Sequence, residues 1–343
     1  MIGAAAAPRI AVVGASSLIG EALIQELFAR RFAHSALHAL DEQRHVGRMV
    51  ADAEGVDTHL RIHDLATFDF SRVDLAFFCG RALQSERYAE AAAAHAWTID
   101  HSSVFRQRPD VPLVVADVNA SALEGIERGL IALPGSACTA LATALAPLHA
   151  LAGLERADVA TYQAVSGSGR AAMDELASET AALLNGRRPR GRAFGRQIAF
   201  NVIPQIDAWD GALSREERRL WEETRRILSL PHLAINATAV RVPVFFGHSL
   251  AVHALFERPL SPVDAHTVLQ RSSGIRVIES DSEEEFPTPA TLATAPDRVY
   301  LGRLRADPTR DCALNFWVVA DNVRKCAAHN AVSVAQILVN SGR

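Results

Sequence analysis

The stretch from Arg9 to Gly20, RIAVVGASSLIG, restricts the possible folds more than any other part of the chain. An apolar run ends at Gly14, and the segment EALIQELFAR that follows has helical spacing, with Leu23, Leu27 and Phe28 expected on one face. A buried strand that closes in a glycine turn and opens into a helix is the first unit of a parallel sheet. The helix N-terminus leaves N–H groups unshared and carries a positive dipole, so the turn suits phosphate. The candidate phosphate cradle is Gly14, Ser16, Ser17, Leu18, Ile19 and Gly20, with Ser17 where such turns usually carry their middle glycine.

Strands and helices continue to alternate. HSALHAL (ending at Asp41), LAFFCG, WTIDHSS and PLVVADVN read as strands, and SERYAEAAAAHA as an alanine-rich helix. This pattern predicts an α/β dinucleotide-binding domain over residues 1–133. After the second strand, LDEQRHVGR carries opposed cues. Asp41 or Glu42 would accept bonds from an adenosine ribose, as NAD requires, whereas Arg44 would pair with the 2′-phosphate of NADP. The expectation leans to NADP and leaves NAD open.

The second half changes character. RADVATYQAVSG, LAINATAVRVPVFFGHSLAVHALF and CALNFWVVADN are long strand-like runs separated by polar helical stretches such as Ser214 to Leu230. They predict an α+β domain with a large mixed, mostly antiparallel sheet over residues 134–321. NVRKCAAHNAVSVAQILVN is expected to form one amphipathic helix over 322–343.

Composition narrows the partners. A length of 343 residues fits two domains, and 49% hydrophobic with 22% charged residues marks a globular chain. A net charge of −4 gives no reason to expect nucleic acid or an anionic membrane. The longest apolar stretch, Ala140 to Leu154, is broken by Pro147, His149 and Gly153, and the opening residues lack the basic start of a signal peptide. A cytoplasmic location is expected. Cys79, Cys138, Cys312 and Cys326 form no C-x-x-C pair. His59 and His63 stand four apart in an alternating, strand-like segment without a completing glutamate, so no metal is expected.

The segment IALPGSACTALATALAPL sets a turn with Pro134 and Gly135 ahead of a helix. Ser136 or Cys138 therefore lies near a helix N-terminus, where a thiolate is stabilised. Taken alone, the same residues also read as a helix cap and a buried thiol.

Several segments, in order from about residue 8 to the C-terminus, resemble the aspartate-β-semialdehyde dehydrogenases: IDHSSVFRQRPDVPLVVADVN, TYQAVSGSG, IAFNVIPQID, RVPVFFGHS and DNVRKCAAHNAV. The resemblance implies a Rossmann-type NAD(P)-binding domain completed by the C-terminal helix, an α+β catalytic and dimerisation domain, and a homodimer. The family's reaction, in amino-acid biosynthesis, is the NADP-dependent, phosphate-requiring interconversion of aspartate semialdehyde and aspartyl phosphate. A cysteine thiolate attacks the aldehyde, a histidine handles the proton, and hydride leaves for the nicotinamide. Phosphate then opens the thioester, while arginines clamp the substrate carboxylate and the phosphate.

Carried over by motif, Gln163 positions the substrate, an anionic amino-acid-like molecule. Arg241 binds its carboxylate, and His248 is the acid/base. Arg106 matches the phosphate arginine, Glu216 the contact to the substrate amino group, and Arg219 a lysine that helps bind phosphate. Ser166, Gly167 and Asn322 join the glycine turn as cofactor contacts.

The nucleophile departs from the family pattern. Where the family has Asn-Pro-Asn-Cys, this chain has LPGS, and a gapless alignment puts Ser136 at the cysteine position, 27 residues before Gln163. Cys138 reaches that position only with a two-residue shift. His101 replaces an asparagine, Gly135 another, and Cys326 a glycine. This pattern resembles the Usg-type paralogues, which lack the catalytic cysteine. Three readings follow: a dehydrogenase impaired by Ser136, an active one using Cys138, and a non-catalytic NAD(P)- or ligand-binding paralogue or partner subunit.

Overall fold

β1 (Arg9–Val13) is the hinge of the first sheet: after its exposed first residue every side chain is buried, as expected of a parallel strand covered on both faces. The computed structural model describes residues 7–51, 57–126, 129–189, 191, 193–278, 286–290 and 297–341. The chain divides into two units, Met1–Pro134 with Ala327–Arg343, and Gly135–Cys326.

In the first unit β1 leads to α1 (Leu18–Ala29), β2 (Ala36–Asp41), β3 (Met49–Ala51), β4 (Asp57–Asp64), β5 (Leu75–Phe78), α2 (Ala82–Ala93), β6 (Trp97–Asp100), α3 (Ala116–Asn119) and β7 (Leu130–Ala132). The seven strands lie in the order β3-β4-β2-β1-β5-β6-β7, all parallel except the β3–β4 pair. The order reverses direction at β1, between β2 and β5. That switch point lies at the end of β1, where Gly14 turns and ligands of open α/β sheets bind.

The buried face of α1 is Gly20, Leu23, Ile24 and Leu27. Each fully buried Leu or Ile contributes roughly 1.5–3 kcal/mol. Phe28, expected on that face, is exposed and rests edge-on against His34. Residue 28 lies at the margin of the i, i+3, i+4, i+7 stripe, in the last turn of α1, where the helix runs out.

PLVVADVN is not a strand. Leu113 makes a single bridge to Ala132, and α3 follows. Side-chain amides take the ladder's place: Asn119 accepts from Val115 N–H and donates to Leu113 O, while Asn330 accepts from Ala116 N–H and donates to Val114 O. HLRIH does lie in strand β4; the side chain of His59 lies outside the described residues.

The second unit runs α4 (Ser136–Ala152), β8 (Leu154–Gln163), α5 (Arg170–Leu184), β9 (Trp209–Asp210), β10 (Leu213–Ser214), α6 (Arg215–Leu228), β11 (Ala234–Arg241), β12 (His248–Phe256), α7 (Pro262–Arg271), β13 (Ile275–Val277), β14 (Val299–Asp307) and β15 (Arg310–Ala320). Its large sheet has the order β11-β8-β12-β15-β14-β13. β11–β8 and β13–β14 are parallel and the three central pairings antiparallel. Ser214 caps α6 in a reciprocal box with Glu217, so the helix starts where the sequence turns polar.

The C-terminal segment is not one regular helix. Arg324–His329 is wound as a π turn, and α8 (Asn330–Asn340) follows. Asp321 is the cause: its carboxylate accepts from the Val323 and Arg324 N–H groups, and Cys326 N–H reaches back five residues to Asp321 O. α8 packs on α1 and α3. Among the described residues no helix is long and apolar enough to cross a membrane.

Candidate active site

Four strand ends build the constellation in the second unit. Gln163 ends β8 and Arg241 ends the parallel β11, and the two residues are register partners. His248 begins the antiparallel β12 opposite Ala320, the last residue of β15, so Asn322 emerges beside it. Residues from 163 to 322 thus converge through sheet register alone.

His248 is 2% exposed, and its Nδ1 accepts the Ala164 N–H at 3.2 Å. A backbone N–H can only donate, so Nδ1 is the acceptor and the neutral ring carries its proton on Nε2. Burial, helped by the Arg241 charge, pushes the imidazole down to about 3. Arg241 donates through Nη1 to Ala164 O at 2.6 Å, and its guanidinium lies 5.8 Å from the centre of the Phe194 ring. Burial lowers Arg241 to about 10 against the opposing pull of Glu216. A Cβ on Gly167 would come within 3.1 Å of Arg241 Nη1 and 3.5 Å of His248 Nε2, so the missing side chain gives both groups room.

Gln163 Nε2 donates to Glu216 Oε1 at 2.9 Å, and Arg219 pairs with Asp207 at 2.8 Å while standing 3.8 Å from Glu216. Asn322 donates to Ser166 Oγ at 3.0 Å and accepts from Gly247 N–H at 3.0 Å. The unit therefore gathers Gln163, Ser166, Gly167, Glu216, Arg219, Arg241, His248 and Asn322 around one set of strand ends. A buried cation, a carboxylate and a neutral N–H donor side by side can hold an amino-acid-like ligand and polarise a carbonyl.

Ser136 is the first residue of α4, half-buried, after the N-cap Gly135. The described residues contain no hydrogen bond between Ser136 and His248. Cys138 is 2% exposed, with Sγ 3.3 Å from the buried Thr224 Oγ1.

The first unit carries the glycine turn. Gly14 has φ +75°, and a Cβ there would lie 2.4 Å from the Gly80 backbone. Ser17 caps α1: its Oγ accepts from Gly20 N–H at 2.9 Å and donates to Cys79 O at 2.8 Å. That leaves the first-turn N–H groups of Leu18 and Ile19 for a ligand.

Asp41 is buried rather than turned outward, and both of its oxygens are engaged inside the unit. One oxygen accepts both the N–H (3.0 Å) and the hydroxyl (2.6 Å) of Ser16; the other accepts Glu42 N–H (2.8 Å) and Gln84 Nε2 (3.2 Å). Burial alone would raise this carboxyl, but the bonds outweigh it and hold it below its usual value. Just past the end of β2, the half-buried Glu42 pairs with Arg44 at 3.2 Å and with Arg81. Arg81 was not a sequence candidate; it starts the helix after the LAFFCG strand, beside the switch point.

Arg106 donates to His101 O at 2.7 Å. His101 Nε2 is buried with no hydrogen-bond partner among the described residues, and burial, then the Arg106 charge, pushes that imidazole down to about 3.

Two family models match the chain: the semialdehyde dehydrogenase NAD binding domain over residues 9–126 and the semialdehyde dehydrogenase dimerisation domain over residues 145–325. The chain belongs to the semialdehyde dehydrogenase family. An aspartate-semialdehyde dehydrogenase of Legionella pneumophila is 41% identical over 333 residues, covering 96% of this chain and 95% of the relative. A USG-1 protein homolog of Azotobacter vinelandii is 37% identical over 337 residues, covering 97% and 98%. Among solved structures, aspartate semialdehyde dehydrogenase II from Vibrio cholerae complexed with ASA superposes with a TM-score of 0.93 at 39% identity, covering 98% of this chain and 99% of that one. Both predicted domain types are thus semialdehyde dehydrogenase domains, one nucleotide-binding and one dimerising.

Proposed function

We propose that this chain is an aspartate-semialdehyde dehydrogenase-like protein that keeps the cofactor and substrate sites but is impaired in the family's oxidation, because Ser136 stands at the nucleophile position. The carrying observation is the Ala164 N–H donated to His248 Nδ1. A serine hydroxyl must lose its proton to a base as it attacks. His248 carries its proton on Nε2, faces the Arg241 charge and binds a second proton only near pH 3, so it is a poor base. Its Nε2–H is a donor for a carbonyl oxygen or the oxyanion that forms from it. Cys138 is a weaker candidate, because its thiol is buried against Thr224.

Arg241 would take the ligand carboxylate and Glu216 its ammonium, with Gln163 orienting the carbonyl between them. By resemblance Arg219, in the second unit, and Arg106, in the first, each carry a guanidinium suited to phosphate. The cofactor we propose is NADP. Leu18 and Ile19 offer N–H groups to its pyrophosphate, and Arg44 and Arg81, held in reserve by Glu42, fit the 2′-phosphate. When bound, it supplies a hydride acceptor. Ser166, Gly167 and Asn322 would contact its nicotinamide end.

We also propose a homodimer through the second unit, supported by the dimerisation-domain match. Calorimetric titration should give saturable heat with NADP, weaker heat with NAD, and a dimer mass by light scattering. Nicotinamide reduction with aspartate semialdehyde and phosphate should stay near background. Absence of heat with either nucleotide at millimolar concentration contradicts the retained cofactor site. A monomer at micromolar concentration contradicts the dimer.

A further inference from the structure

We infer that Glu223 is a positioning residue for position 136: it tethers the turn ahead of Ser136 and sets a buried carboxylate against the positive end of α4, which holds the side chain at 136 in its un-ionised form. The inference rests on reading Ser136 as the nucleophile position.

α4 begins without a side-chain cap and with no acidic residue in its first turn. A helix start of that kind would leave its dipole uncompensated. The compensation comes from α6. Glu223, 1% exposed, accepts the Gly135 N–H through Oε2 at 2.8 Å, and the next residue, Thr224, meets Cys138 Sγ at 3.3 Å. Two consecutive residues of α6 therefore grip the α4 entry on either side of Ser136. Glu223 lies seven residues after Glu216, on the same face of α6, so one helix face carries the proposed substrate contact at its start and this tether two turns later. A carboxylate at a helix N-terminus is itself stabilised there, and it cancels the field that would otherwise favour an anion on the following residue.

Alkylation by iodoacetamide, read at residue 136 by peptide mass spectrometry across pH, tests this in Ser136→Cys and in Ser136→Cys combined with Glu223→Gln. Glutamine keeps an acceptor for Gly135 N–H and removes the charge. The double variant should titrate its introduced thiol about one pH unit lower and react several-fold faster at pH 7. Superimposable profiles would reduce Glu223 to a mechanical tether and overturn the inference. If the glutamine variant does not fold, Ser136→Cys alone decides: a thiol titrating at or above the free value of about 8.5 supports the inference, and one below about 7 contradicts it. Neither outcome depends on turnover, so a failed alkylation result and a failed dehydrogenase reading remain separate.

Discussion

Two serines open two helices in this chain, and the fold treats them differently. Ser17 stands in the glycine turn of the first unit, and its hydroxyl is used twice, accepting from Gly20 and donating to Cys79. The substitution is absorbed into the cap of α1, and the Leu18 and Ile19 N–H groups stay available. Ser136 stands at the entry to α4 in the second unit, with a buried carboxylate on the preceding amide and, among the described residues, no hydrogen bond to His248. Binding through backbone N–H groups tolerates a serine that completes a cap. Nucleophilic chemistry asks for ionisation, which a hydroxyl without a base does not provide.

The contrast can be attacked at several points. The largest effect should come from Gly14→Ala, which adds a Cβ 2.4 Å from the Gly80 backbone at φ +75°. It should destabilise the protein by more than about 3 kcal/mol in urea denaturation and abolish nucleotide heat.

Acid should act next. His101 and His248 take a proton only near pH 3 when folded, whereas an unfolded histidine does so near 6.5. The unfolded state therefore binds more protons between these values. Stability is full above about pH 6.5 and is lost as pH falls through that window. The loss is roughly 2–4 kcal/mol for each ring. Denaturation from pH 7 to 4 should show it, and His248→Gln should flatten the second unit's share.

At the cofactor end, Arg81→Ala should weaken NADP by about tenfold and leave NAD nearly unchanged, since only the 2′-phosphate gains the charge-assisted bond. Equal losses for both nucleotides would place Arg81 elsewhere in the site. The smallest effects bear on the serines themselves. Ser17→Ala should cost about 1 kcal/mol as a lost cap, and Ser136→Ala less than about 0.5 kcal/mol. Equal costs would break the contrast.

Much of this was legible in the sequence because it is local. RIAVVG, LAFF and WTID are short apolar runs bounded by turns, and a parallel sheet leaves them no other place. The boundaries of α6 could be read from Ser214 and its polar run. What escaped depends on long-range partners. PLVVADVN has strand composition, yet Asn119 and Asn330 claim its backbone groups, the latter over two hundred residues away. The π turn before α8 follows from where Asp321 falls at the end of β15. His248 was legible as an acid/base candidate by resemblance, but its tautomer was not, because it is set by Ala164, a residue without polar side-chain atoms. Glu223 carried one faint signal, its spacing of seven from Glu216, and its role needs the contact between α4 and α6. Arg81 lay next to a strand end that only sheet order identifies as the switch point.

The central claim is that serine in place of cysteine at position 136 is the largest single loss from the family's chemistry. Its most direct test is phosphate-dependent NADP reduction with aspartate semialdehyde, measured in parallel for wild type, Ser136→Cys, Ser136→Ala and Cys138→Ser. Near-background rates are expected for wild type, Ser136→Ala and Cys138→Ser. Ser136→Cys should gain turnover well above them, short of a full enzyme because the neighbouring Gly135 also departs from the family pattern, and a displacement of ~1 Å costs about a hundredfold. Robust wild-type turnover that Cys138→Ser abolishes and Ser136→Ala leaves intact would contradict the account.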